Sequence, residues 1–501
     1  MQTSKKEVSK AAVLKAAHLK IAKLEKKMST ERDKSREIKK ECRELRKKNK
    51  VLEAARTNWK SKAVERNKII KSLKKRVLHL SLASPEGCPA RHHYDLLIIT
   101  LAVLLRVKCN CSYRSIPNIL AVIFDILGNR TVKLSELPCS NTVSNWVHKA
   151  GYSELKNGVE KYENKEVCLI LDESIRVGRE KLLVGLVCEA ENTKTQQLNF
   201  ENTSVLLMEG RVSWKGEDIK EVVNQAIVDK NLKISYITSD EGNNLKSAIK
   251  QIGCPHIADI SHAVANCLKR EFSGLDAYQA FIGDVKKYQR KLVMGKNSFY
   301  RPKKQRAKAR FMNQENLVDW AEIILEKWTS FSKEIQEIFK EMPRHRPIIE
   351  RLRKAMNLVN SVSKLLINKG INKKSITQSL GIINKIEMDN SIQVVISELK
   401  KYINNYKEIL ENKLTEHQNI FGCSKVIERL FGIYKEKIST NYFNGITASC
   451  LELPLVCLPQ ETLKESIKSF IETVFMSNIN DWKKKNKSDN QAIKRKEFFK
   501  R

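Results

Sequence analysis

The chain has 501 residues, an ordinary hydrophobic content of 41%, and 93 lysines and arginines against 57 acids, a formal net charge of +36. Such an excess of cation points to a polyanionic partner, most simply nucleic acid, although ribosome-associated and membrane-surface proteins share the trait. The most apolar run, Leu96 to Leu105, is about half of what a membrane span needs, and the first residues are charged where a secretory leader would be apolar, so neither an anchor nor a leader is expected.

Residues 1–82 are predicted to form a long helix, a basic coiled-coil arm. Residues 1–80 hold 27 lysines and arginines and 9 acids, half of the whole excess. Leu14, Ala17, Ile21, Leu24 and Met28 follow the three-four spacing of a coiled-coil seam. The phase slips after Met28, resumes at Ile38, Cys42 and Leu45, and resumes again at Leu73, Val77 and Leu80. The arm suits dimerisation, contact with DNA, or both. Ala83 to Pro89 then breaks the helix.

Residues 90–153 are expected to form a compact helical, helix-turn-helix-like DNA-binding domain. Its helices are "YDLLIITLAVLLRV", "SYRSIPNILAVIFDIL" and a short third one, "SNTVSNWVHKAGY". The third would be capped by Ser140 or Asn141, anchored by Trp146 and stopped at Gly151. The 12 cysteines include no Cys-x-x-Cys pair. They fit reduced thiols in an intracellular protein, cytoplasmic or nucleoid-associated, better than a disulfide frame or a zinc finger.

From residue 165 the pattern becomes strand and helix. Val167 to Leu171 is an apolar run halted by Asp172. "KLLVGLVCEA" and "TQQLNFENTSVLL" follow as second and third strands. The helix "GEDIKEVVNQAIVDKN", the strand "KISYITSD" ending on Asp240, a helix, the short strand "PHIADIS" and the helix "HAVANCLKREF" complete residues 165–271. Three consecutive strands suggest a meander, and the later strand–helix–strand units suggest parallel pairing. Residues 272–415 are mostly helical. Within them "KKYQRKLVMGKNSFYRPKKQRAKARF" interleaves Tyr288, Phe299, Tyr300 and Phe311 with basic residues, which suits either a solvated linker or a surface for a nucleic-acid strand. Residues 416–440 carry a strong helix around Glu428, and residues 441–501 form a C-terminal helical segment and basic tail.

If the first and fourth strands lie parallel and adjacent, Asp172 and Asp240 emerge together at one end of the sheet, with room between them in the chain for the intervening hairpin, strand and helix. Two neighbouring carboxylates are costly unless cations neutralise them, and hard Mg²⁺ or Mn²⁺ favours such oxygen donors. These acids, the strand order and "SKVIERLFGIYK" resemble the RNase H-like fold of DDE transposases and retroviral integrases, and bacterial insertion-sequence transposases most. The resemblance implies an α/β RNase H-like core, a mixed five-stranded sheet with helices, interrupted by a large helical insertion at 272–415. The third acid would then be Glu428, with Glu452 and Glu326 as other candidates. Lys435, two helical turns after Glu428 on the same face, would contact a DNA phosphate, and so could His262. The simpler reading of this stretch is an N-cap, Asp259 or Ser261, with His262 a satisfied histidine at a helix start.

In one transposase group a Tyr and an Arg precede the Glu; here Phe421 and Ser424 stand in their places. The stretch from Asp240 to Glu428 is also far longer than the integrase spacing. The implied activity is metal-dependent cleavage and strand transfer at the terminal inverted repeats of a mobile element, into target DNA. It would use two Mg²⁺ or Mn²⁺ ions and a homodimer or higher oligomer. A nuclease or resolvase without strand transfer, and a non-enzymatic or catalytically dead DNA-binding protein, are the alternatives.

Overall fold

The computed structural model describes residues 3–82, 88–128, 137–177, 180–191, 198–303, 311, 314–417, 419–437, 446–486, 495 and 497–499. The chain divides into two units, Met1–Pro85 with Ile123–Thr131, and Glu86–Val122 with Val132–Arg501. In the first unit, α1 (Thr3–Leu82) is one uninterrupted helix of 80 residues. Its sequence contains no glycine or proline to break it.

The predicted helices α2 (Leu96–Val107) and α3 (Ile116–Gly128) are present, α2 capped by Asp95, whose carboxylate accepts the Leu97 N–H. The third, α4 (Ser140–Asn157), differs from expectation. Its N-cap is Cys139, and it runs through Gly151 instead of stopping there. A Cβ on Gly151 would lie 1.6 Å from the backbone oxygen of Leu451. The glycine therefore admits a close backbone approach and is not a terminator. Trp146 is buried, edge-on to Tyr94, and donates its indole N–H to His92 Nδ1 at 3.3 Å.

A five-stranded mixed sheet follows, in spatial order β3-β2-β1-β4-β5. The strands are β1 (Glu166–Val177), β2 (Glu180–Glu189), β3 (Ser204–Arg211), β4 (Lys233–Ser239) and β5 (His256–Ala258). β1, β2 and β3 pair antiparallel as a meander, and β4 and β5 join β1 in parallel. Between them lie α5 (Gly216–Asp229) and α6 (Asn243–Ile252), followed by α7 (Ile260–Phe272). The first strand does not end at Asp172. It leaves β4 there but continues against β2 to Val177, after a register irregularity between Asp172 and Ile175. The third strand is shorter than its alternating sequence suggests, and residues 192–197 lie outside the described residues.

Both faces of the sheet are covered, which explains the unbroken apolar runs in β1 and β2. Val167, Leu169, Leu171 and Ile237 pack with α5 and α6, through Ile219, Val223, Leu245 and Ile249. Cys168, Ile170, Val184 and Tyr236 belong to the larger core on the other face. That core takes in α7 and the helices α8 (Asp276–Lys291), α9 (Glu315–Glu326), α10 (Lys333–Ile338), α11 (Arg346–Lys369), α12 (Lys373–Asn384) and α13 (Gln393–Asn412), then α14 (Lys425–Lys437). The aromatics of the basic stretch mostly serve this core. Tyr288 packs on Trp320 and Phe339, Tyr300 on Phe331, and Phe311 stacks on Tyr278, while Phe299 is exposed. Residues 304–310 lie outside the described residues.

The chain closes with α15 (Glu452–Cys457), α16 (Gln460–Thr473) and α17 (Met476–Asn486), all packed against α4. No described helix is long and apolar enough to cross a membrane. The cysteines form no disulfide among the described residues.

Candidate active site

Register brings the two aspartates together. In the parallel β1–β4 pair, Cys168 lies opposite Tyr236, Ile170 opposite Thr238 and Leu171 opposite Ser239. Carried one step further, the same register sets Asp172 opposite Asp240, at the carboxyl end of β4 in the middle of the sheet. Side chains alternate along strands. Residues 168 and 170 of β1 and residue 236 of β4 contribute to the larger core, so Asp172 and Asp240 follow them onto the face that α7 and α14 cover. Asp172 is buried and Asp240 half-buried. Asp240 also serves as a turn former, its Oδ1 accepting the Gly242 N–H at 3.0 Å at the start of α6.

The third acid arrives on a segment stitched to the end of β4. The Thr238 hydroxyl donates to Phe421 O at 3.1 Å, and Phe421 N–H donates to the Tyr236 hydroxyl at 2.9 Å. Ile260 N–H donates to Gly422 O at 2.9 Å, and Ile420 bridges to Ile371. Buried Asp259 completes the join, for its carboxylate accepts both the His262 N–H at 2.9 Å and the Ser424 N–H. Asp259 is therefore an N-cap of α7 that also anchors the start of α14. These bonds explain how Glu428, so distant from Asp240 in sequence, comes to lie near the carboxyl end of β4: the helices α8 to α13 leave after α7 and return the chain beside it.

Glu428 lies in the first turn of α14, which packs against β1. Its carboxylate Oε1 is 3.3 Å from His262 Nε2. That hydrogen bond raises the His262 pKa to about 9, against the cost of burial and with help from the charges of Asp259 and Asp240. His262 is thus an imidazolium at neutral pH, bonded to Glu428 with the charges of Asp259 and Asp240 nearby. Lys435 lies two turns beyond Glu428 on the same face and is exposed.

The other candidates for the third acid have different settings. Glu452 is buried and engaged by Arg106, with Oε2 2.9 Å from Nε and Oε1 2.9 Å from Nη2, and it also accepts the Tyr113 hydroxyl at 2.7 Å. Glu326 closes α9, among the helices α8 to α13.

Sequence reasoning did not find Glu241. Its carboxylate accepts from Lys246 Nζ at 2.6 Å, Asn266 Nδ2 at 2.8 Å and the Tyr402 hydroxyl. Burial pushes its pKa up, and these hydrogen bonds outweigh that and hold it below the usual carboxylate range. Glu241 thereby ties the loop carrying Asp240 to α6, α7 and α13. Its only sequence signal is its place beside Asp240.

The carboxylates of Asp172, Asp240 and Glu428 are hard oxygen donors, the kind that Mg²⁺ or Mn²⁺ favours. Among the described residues, however, no three His, Cys, Asp or Glu side chains converge into a ready-made metal cage. No protein-family model matches the chain, and no curated protein matches it.

Proposed function

We propose that the chain is an RNase H-like DNA transposase of the DDE type, with Asp172, Asp240 and Glu428 as its metal-binding acids. The observation that carries the reading is the β1–β4 register, which extends to set Asp172 beside Asp240 at the carboxyl end of β4. The strand order and polarity support it too, since an antiparallel meander continued by two parallel strands is what the resemblance implies. The net charge of +36 supports DNA as the partner, through terminal inverted repeats and target.

In this reading the three carboxylates supply the oxygens for Mg²⁺ or Mn²⁺. Divalent ions held there would supply Lewis acidity to the attacking water or DNA 3′-hydroxyl and to the leaving oxygen. The chain's own groups do the rest. Asp259 and Glu241 hold α14 and the Asp240 loop in place. His262 orients Glu428 and, once released, offers an N–H to a phosphate oxygen. Lys435 takes a backbone phosphate farther along the strand. The same acids serve nicking and joining, because only the attacking oxygen changes.

The test is cleavage of duplexes taken from the DNA flanking the chain's own gene, with Mg²⁺, by wild type and Asp240→Asn. The reading predicts metal-dependent nicking by wild type, none by the variant, and joining of a pre-nicked end to a second duplex. Equal cutting by the variant removes the site, and cutting without joining makes the chain a nuclease.

A further inference from the structure

The helix α1 leaves a long apolar stripe in solvent. Leu45, Leu52 and Trp59 are 62%, 64% and 66% exposed, and Ile21, Leu24, Met28 and Ile70 are about half exposed. Counted in sevens, these residues share one register. Ile21, Met28 and Ile70 occupy the first core position of the heptad, and Leu24, Leu45, Leu52 and Trp59 the second. The sequence continues the same register back to Leu14 and Ala17 and on to Leu73, Val77 and Leu80. The slip expected after Met28 is therefore not one: polar residues stand at seam positions, among them Glu31, Asn49 and Arg56, and the seven-residue phase holds throughout.

We propose that α1 is one strand of a parallel, two-stranded coiled coil with a second copy of this chain, in register along its whole length. Two features select that occupant. A strict seven-residue repeat gives a narrow seam that suits another supercoiled helix, whereas a flat or globular surface needs a wider stripe. Asn49 at a first core position, with leucines at the second, is the pattern that selects two strands in matched register.

The flanking charges choose the direction. Parallel strands face Lys20 with the partner's Glu25, Glu41 with the partner's Arg46, and Lys48 with the partner's Glu53. Lys27 faces the partner's Arg32 and Lys34 the partner's Lys39, so that stretch is repulsive. An antiparallel pair would instead set the column Lys20, Lys27, Lys34, Lys48 and Lys62 against itself, with Glu41 its one acid. The inference stands apart from the active-site reading, because it uses none of the residues of that site.

The test uses the full-length chain. Light scattering at moderate salt should give twice the 57.7 kDa chain mass. Leu45→Glu combined with Leu52→Glu should give a monomer, while Val64→Glu, on the helix surface away from the seam, should leave the dimer intact. Cys42 occupies a first core position, so in a parallel pair the two copies of Cys42 face each other. A short bismaleimide should then bridge two chains, and Cys42→Ser should abolish the bridge. Leu24→Cys, added to the Cys42→Ser chain, should restore it. Antiparallel strands overlapped along the seam would hold the two copies of residue 24 about 60 Å apart along the axis, far out of reach of the bridge. A monomeric wild type, or a dimer that survives the double glutamate variant, overturns the proposal. A dimer that does not bridge at position 24 overturns its direction.

Discussion

Glu428 and Glu452 are both candidates for the third acid, and the structure separates them by what each would lose on substitution. In Glu452→Gln the side chain keeps its shape and loses its charge. The Arg106–Glu452 pair has side chains only 7% and 3% exposed. The guanidinium makes two bonds to this carboxylate and keeps one to Cys111 O at 3.1 Å. Removing one partner of a buried pair costs about 3–5 kcal/mol, because the remaining charge stays buried, and the amide oxygen that Gln retains places this case near about 3 kcal/mol. Glu428 is 41% exposed and makes one 3.3 Å bond to His262, so Glu428→Gln should cost about 1 kcal/mol or less. Urea unfolding followed by tryptophan fluorescence, beside a DNA-cleavage assay, reads both quantities. The expected pattern is a large loss of stability for Glu452→Gln, and a loss of cutting with near-normal stability for Glu428→Gln. A stable Glu452→Gln protein that cannot cut would show that the acid has been misassigned.

Two further outcomes follow from packing and burial. Alanine is favoured over glycine inside a helix by about 1 kcal/mol, yet Gly151→Ala should destabilise the protein by about 2 kcal/mol, because its Cβ meets the Leu451 backbone and cannot rotate away; a raised melting temperature would refute the close approach. Burial, with Lys483 and Arg106 nearby, lowers the His148 pKa from 6.5 to about 4, and His148 Nε2 has no hydrogen-bond partner among the described residues. The unfolded chain takes up this proton first as pH falls, so the contribution is complete above pH 6.5 and is lost towards pH 4, by about 3 kcal/mol in all. His148→Phe should flatten the fall in unfolding free energy across that window, and an unchanged slope would contradict the assignment.

The meander, the parallel pair and the two aspartates were legible because apolar runs and their acidic ends are local signals. The sequence separation of Asp172 from Asp240 equals the offset of the strand register itself. What escaped the sequence depended on distant partners. The continuation of β1 past Asp172 is decided by pairing with β2, and the passage of α4 through Gly151 by Leu451, far along the chain. Tyr288, Tyr300 and Phe311 look like stacking residues beside basic neighbours until Trp320, Phe331, Phe339 and Tyr278 cover them. Glu428 has a lysine seven residues on and Glu452 does not, yet neither stretch of sequence names the partner its carboxylate meets. Only Arg106 and His262, from elsewhere in the chain, give one a structural duty and the other an imidazolium partner beside the aspartates.

The most direct measurement is Mn²⁺ binding followed by electron paramagnetic resonance, on wild type and on Asp172→Asn, Asp240→Asn and Glu428→Gln, each checked for intact secondary structure by circular dichroism. A shared site predicts that wild type binds Mn²⁺ and that each substitution weakens binding by at least about tenfold. Equal affinity across the four proteins would show that these acids do not hold a common ion.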